Sequence, residues 1–218
     1  MAALGFGLGA VVMARGALAS VTQWLYAIRI PRLASSLAGL VGAPTWLLVA
    51  LGLGLLALVL WRLGPAPRSA GAWTWPVTGA ALGILGVLAW VSGARAGWGW
   101  GLSITGPSRS LMEAALWGSA ASLDWGAAML VGIPIGSWVS ARLRGPVAWH
   151  APAPAELPRR FAGGLLMGAG GTLAIGCNIG NALTGLSVLA TNSLIATVGI
   201  AAGGALAVRL SGRAATTR

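Results

Sequence analysis

Charge of one sign is nearly missing from this chain of 218 residues: its only acidic side chains are Glu113, Asp124 and Glu156. Lysine is absent as well, so fourteen arginines set the formal net charge of +11. With 8% of residues charged, 57% hydrophobic and a mean hydropathy of +0.83, the chain cannot solvate a globular surface, which excludes a soluble domain. The arginines lie singly or in pairs between apolar runs, not along one face, which argues against a nucleic-acid partner. They read instead as membrane orientation signals and lipid headgroup contacts. The single cysteine, Cys177, excludes an internal disulfide and any Cys-x-x-Cys redox pair. One histidine, His150, and three scattered carboxylates leave no nucleophile with its base and no metal cluster. No enzyme activity, cofactor or metal is therefore expected. The first apolar run, Ala2–Val12, opens without a basic leader, so no cleavable signal is expected either.

What the chain has is apolar length. A helical span needs about 20 apolar residues. Pro44–Leu63, Trp75–Ser92 and Leu123–Ala141 qualify, with Leu186–Leu210 close behind despite Thr191, Asn192, Ser193 and Thr197. Other apolar stretches are short or broken: Ala2–Ala19, Gln23–Gly42 cut at Pro31, Trp98–Gly118 cut at Gly106–Pro107, and Phe161–Ile179. The expected fold is all-α, a polytopic integral membrane protein with about five to seven segments, some of them short, broken or re-entrant. Many of the twelve tryptophans, among them Trp46, Trp61, Trp75, Trp98, Trp138 and Trp149, fall near run ends, as an interfacial belt requires.

The arginines orient the scheme. Arg142, Arg144, Arg159 and Arg160, with Pro146, Pro152, Pro154 and Pro158, mark residues 142–160 as a cytoplasmic linker, and Arg62 and Arg68 bound a second loop on that side. Trp98–Gly118 must then begin and end outside, dipping into the membrane and returning. Phe161–Ile179 crosses outward, and Leu186–Leu210 brings the arginine-bearing tail back to the cytoplasm. A weak repeat aligns Met13–Ser20 with Leu173–Gly180 and Ser36–Gly42 with Ser193–Gly199; chance alignment and a true pair of units (1–64 partial, 73–210 more complete) both remain open.

The sequence points for function to Arg160–Ser187, RFAGGLLMGAGGTLAIGCNIGNALTGLS, where small residues let backbone come close to the Cys177 sulfur. Asn178, Asn181, Thr184 and Ser187 interrupt the apolar run, and polar groups at membrane depth are costly unless they face protein or a cavity.

The run Gly163–Ser187 resembles the signature of the YeeE/YedE sulfur-transport family, a G-x-x-L-A-x-G-C-x-x-G segment followed by L-x-G-L-S. Trp98–Ser108 and the linker into Arg159–Arg160 fall in the order that family shows, so the likeness covers about residues 73–204. It implies a multi-pass bacterial inner-membrane protein that takes up thiosulfate or a related sulfur compound along a narrow path lined by cysteines, Cys177 matching the signature cysteine of the second repeat. Two departures stand out. The first repeat carries Ala17 where a matching cysteine is expected, and the chain is short for two complete repeats.

A dianion entering the bilayer must exchange its water for weak, sequential donors that do not trap it. A neutral thiol at Cys177 offers a weak S–H donor and a soft surface. Gly176 and Gly180 would expose backbone N–H groups, especially if a helix begins near Asn181; Asn178, Asn181, Thr184 and Ser103 would add donors. The plain alternative makes Cys177 a small residue in a tight helix crossing. Arg109 is either an outer-mouth attractor or a partner of Glu113 at i, i+4, which would neutralise it. Arg15 reads as a helix end at the interface, and Met167 as packing or as a thioether beside Cys177. The rival to a transporter is a non-transporting half-subunit that pairs with a second sulfur-transport subunit or a cytoplasmic sulfur-carrier protein.

Overall fold

The structure, a computed structural model, describes residues 1–28, 36–63, 73–145 and 151–216. Pro31, Arg68, Pro146, Trp149 and His150 lie outside the described residues. Within them the chain is helical, and the sole β feature is an isolated antiparallel bridge between Ser36 and Ala190. The helices are α1 (Ala2–Ala14), α2 (Ala19–Ala27), α3 (Leu37–Val41), α4 (Thr45–Leu63), α5 (Trp75–Arg95), α6 (Thr105–Trp117), α7 (Trp125–Arg144), α8 (Leu157–Leu173) and α9 (Thr191–Thr216). Between α8 and α9 lies a π-helical segment, Ile179–Gly185.

Four helices, α4, α5, α7 and α9, are long and apolar enough to cross a membrane, and the bent pair of α1 and α2, 64° apart, makes up to five. The expected runs begin and end within a few residues of these helices. The exception is the last, which starts at Thr191 because Ile179–Gly185 forms a separate element. Phe161–Ile179, expected among the short or broken stretches, is α8 followed by a break at 174–177. Trp98–Gly118 is half loop and half helix: residues 98–104 wind irregularly before α6 begins.

The centre is the seam between α1 and α8. Gly5 and Gly9 on α1 face Gly164 and Gly168 on α8, two G-x-x-x-G pairs that let the backbones meet. A methyl at Gly164 would lie 2.1 Å from the Ala2 carbonyl oxygen, one at Gly168 2.0 Å from that of Phe6, and one at Gly9 2.3 Å from that of Leu165. Partner numbers rise together along both helices, so α1 and α8 run parallel. Dispersion between backbones replaces the hydrophobic drive that lipid cannot supply.

Helix α6 packs across this pair, with the Met112 side chain and Ser108 carbonyl against Gly7. Asp124 fixes the next turn: its side chain caps α7 by accepting from the Ala127 amide at 2.8 Å and also accepts from the Ser110 hydroxyl at 3.0 Å. Helix α4 takes no part in the core, since none of Thr45–Arg62 is buried.

Candidate functional site

The ends of α8, α6 and α9 enclose a cavity of about 350 Å³. Its wall is built from Tyr26, from Trp98, Trp100 and Ser103 of the irregular loop, from Thr105, Gly106 and Arg109 of α6, from Gly171, Thr172, Ile175 and Gly176, and from Asn192 and Ser193 of α9. Two helix N-termini meet here. The ladder of α6 opens with the Ser108 amide donating to the Ile104 carbonyl at 2.9 Å, and that of α9 with Leu194 donating to Ala190 at 3.1 Å. The amides of Thr105, Gly106, Asn192 and Ser193 therefore have no acceptor within their own helices, and both dipoles turn their positive ends to the cavity.

Side chains extend the same polarity. The Thr105 and Ser193 hydroxyls are buried with no hydrogen-bond partner, at 7% and 1% residue exposure, and both residues line the cavity. Orphaned hydroxyls at such burial cost free energy unless something occupies the space beside them. Ser103, also buried, completes the row. Arg109 supplies the charge. Its Nε lies 3.4 Å from Glu113 Oε1, and the same oxygen lies 3.3 Å from Arg15 Nε, so one buried carboxylate is shared by two arginines. The i, i+4 pair of Arg109 and Glu113 forms as one of the two readings expected, and with Arg15 joined to it the cluster keeps one net positive charge. Arg15 does end α1, as expected, but it also reaches Glu113.

Aromatic contacts hold the loop wall. Trp98 donates from Nε1 to the Gly101 carbonyl at 3.3 Å and packs against Trp125, while Trp100 packs against Trp90 at 5.8 Å between ring centroids. Tyr26 reaches across from α2 to donate its hydroxyl to the Thr172 carbonyl.

Cys177 stands behind this cavity, not within it. It sits in the break before the π-helical segment and lines two further cavities, of about 810 and 300 Å³. Asn178 and Met167 line both with it, and the smaller extends to Ala2 and Ala3 at the start of α1 and to Gly164 in the middle of α8. Gly171 and Gly176 belong to the polar cavity and to the larger Cys177 cavity alike, forming a wall of bare backbone between them. A methyl at Gly171 would come within 2.9 Å of Thr105 Oγ1. Gly176 has φ +154°, and Ile175 before it has φ +56°, a conformation that costs a branched side chain energy.

Several residues expected as donors to an ion are committed elsewhere. The Gly176 amide donates to the Gly171 carbonyl at 2.8 Å. Asn181, 1% exposed, spreads its side-chain amide over the carbonyls of Gly176 at 2.7 Å, Ala174 at 3.2 Å and Cys177 at 3.3 Å, which ties the break together. Thr184 donates to the Leu102 carbonyl at 2.6 Å and anchors the loop wall to the π-helical segment. The segment begins at Ile179, two residues before Asn181 and so near the start expected, and the Asn178 side chain accepts from the Ile179 amide at 3.0 Å. Gly180 faces Ser103, whose Oγ would lie 3.1 Å from a methyl there. Tyr26, Asn192 and Ser193 were not read as site residues. The hydroxyl and amide run at 191–193 was the available signal, since it interrupts a span at its first turn.

Four or five membrane-length helices, a parallel glycine seam and helix breaks gathered around one cavity make this a polytopic helical membrane protein. The chain belongs to the sulphur transport family, which matches residues 1–206. That family is one of transporters, and the role of this multi-pass membrane protein lies in sulphur transport. A comparison with curated proteins gave no match.

Proposed function

We propose that the chain takes up thiosulfate or a closely related sulfur-containing anion across a bacterial inner membrane. The observation that carries the reading is the cavity at the helix ends: two helix N-termini, Arg109 and the unpartnered Thr105 hydroxyl beside Gly171, with the buried Ser193 in its wall. Backbone amides at helix ends suit oxyanions, and hydroxyls add donors without a trapping charge. The arginine bias assigns the 142–160 linker to the cytoplasm, so α8 runs outward and the cavity opens on the outer side.

From there the ion crosses the Gly171–Gly176 wall to Cys177. The thiol offers a weak S–H donor and a polarizable surface for the terminal sulfur, with the Met167 thioether lining the same cavities. The parallel α1 and α8, each followed by a break and a short helical piece, support two related units within 1–64 and 73–210. Lipid covers α4.

Uptake of labelled thiosulfate into proteoliposomes holding only this chain tests the reading, with Cys177→Ser and Cys177→Ala beside it. Saturable flux is expected, cut at least about tenfold by Cys177→Ala. Absence of flux until a second sulfur-transport subunit or carrier protein is added would favour the half-subunit alternative, and equal flux in all three would remove Cys177 from the path.

A further inference from the structure

We infer that Glu113 is a positioning residue that keeps the anion site weak enough to release its ion, and that Arg15 tunes it from outside the cavity. The inference rests on the polar cavity being the anion site. Glu113 is 5% exposed on α6, one turn beyond Arg109, and its Oε1 sits between Arg109 Nε at 3.4 Å and Arg15 Nε at 3.3 Å. A lone arginine beside two helix N-termini in a low-dielectric setting would bind an oxyanion tightly and hold it. Transport needs an ion that enters and also leaves.

A carboxylate on the guanidinium's Nε edge subtracts from the pull of Arg109 on an ion in the cavity that it lines. Since Arg15 draws on the same oxygen, Glu113 offsets only part of the Arg109 charge. The three groups sum to +1, a positive site that attracts an anion without fixing it. Arg15 is not among the cavity's lining residues, and its side chain is 66% exposed at the end of α1.

The two substitutions are expected to act with opposite signs. Glu113→Gln removes the negative charge that sits against Arg109, and with that attraction uncancelled thiosulfate binding tightens at least about tenfold. The maximal uptake rate falls by a similar factor because release slows. Arg15→Gln leaves Glu113 wholly to Arg109 and weakens binding about threefold. A purely structural role would weaken binding in both.

The experiment measures the thiosulfate Kd by calorimetry on the purified full chain, and KM and maximal rate in proteoliposomes, for wild type, Glu113→Gln, Glu113→Asp and Arg15→Gln. Tightening in Glu113→Gln, near wild-type values in Glu113→Asp and weakening in Arg15→Gln support the inference. Weaker or unchanged binding in Glu113→Gln overturns it, and should that variant not fold, unchanged or tighter binding in Arg15→Gln overturns it alone. If wild type binds no thiosulfate and Arg109→Gln changes nothing, the reading of the cavity itself has failed.

Discussion

Replacing Gly168 by alanine is expected to unseat α1 from α8. The added methyl would lie 2.0 Å from the Phe6 carbonyl oxygen and 3.0 Å from the Ala10 nitrogen. Both are backbone atoms of a helix, so no side chain can swing aside; the backbones must part by about 1 Å to reach even the closest tolerable approach. Overpacking of this kind costs about 1–3 kcal/mol. The upper end applies because parting the helices at Gly168 also loosens the contacts at Gly5, Gly9 and Gly164 in the same seam. For a chain of this length, about 3 kcal/mol lowers Tm by about 6–12 °C. Gly163→Ala is the control: it sits five residues earlier on the same helix with nothing within 4 Å. It should move Tm by no more than about 2 °C. The twelve tryptophans supply the signal for thermal unfolding of both variants in detergent. Equal shifts for the two would refute the close parallel seam.

Asn181→Ala removes the amide that serves three carbonyls of the break, and with buried carbonyls left unsatisfied the loss should be about 2–4 kcal/mol, read as a lower Tm in the same assay. Gly171→Ala brings a methyl to within 2.9 Å of Thr105 Oγ1 in the wall between cavities, so thiosulfate uptake should drop at least about fivefold and Kd should weaken as that donor is displaced. Arg109→Gln should weaken thiosulfate binding at least about tenfold and leave Tm nearly unchanged, because Glu113 keeps Arg15 as a partner.

The membrane helices were legible because hydropathy over about 20 residues is a local property, and α4, α5 and α7 follow their apolar runs closely. The break at Cys177 was legible too, since glycine at Gly176 and polar residues after it interrupt a helix by their own chemistry. What the residues do there was less so. Asn181 and Thr184 read as donors facing a passage, yet a break in a helix frees its own carbonyls, and the nearest amide and hydroxyl satisfy those first. The Arg15–Glu113 pair joins α1 to α6 across a long stretch of chain, and no spacing rule carries such a contact. The polar cavity gathers Tyr26, Ser103, Thr105 and Ser193 from four separate elements; only tertiary packing makes them neighbours.

Locating the ion tests the proposed route most directly. Crystals of the full chain grown with selenosulfate, the analogue bearing selenium as its terminal atom, would mark the site by anomalous scattering. A peak is expected between Arg109, Thr105 and Ser193, with a weaker one beside Cys177. Selenium found only outside these cavities, or none in a crystal soaked well above Kd, would contradict it.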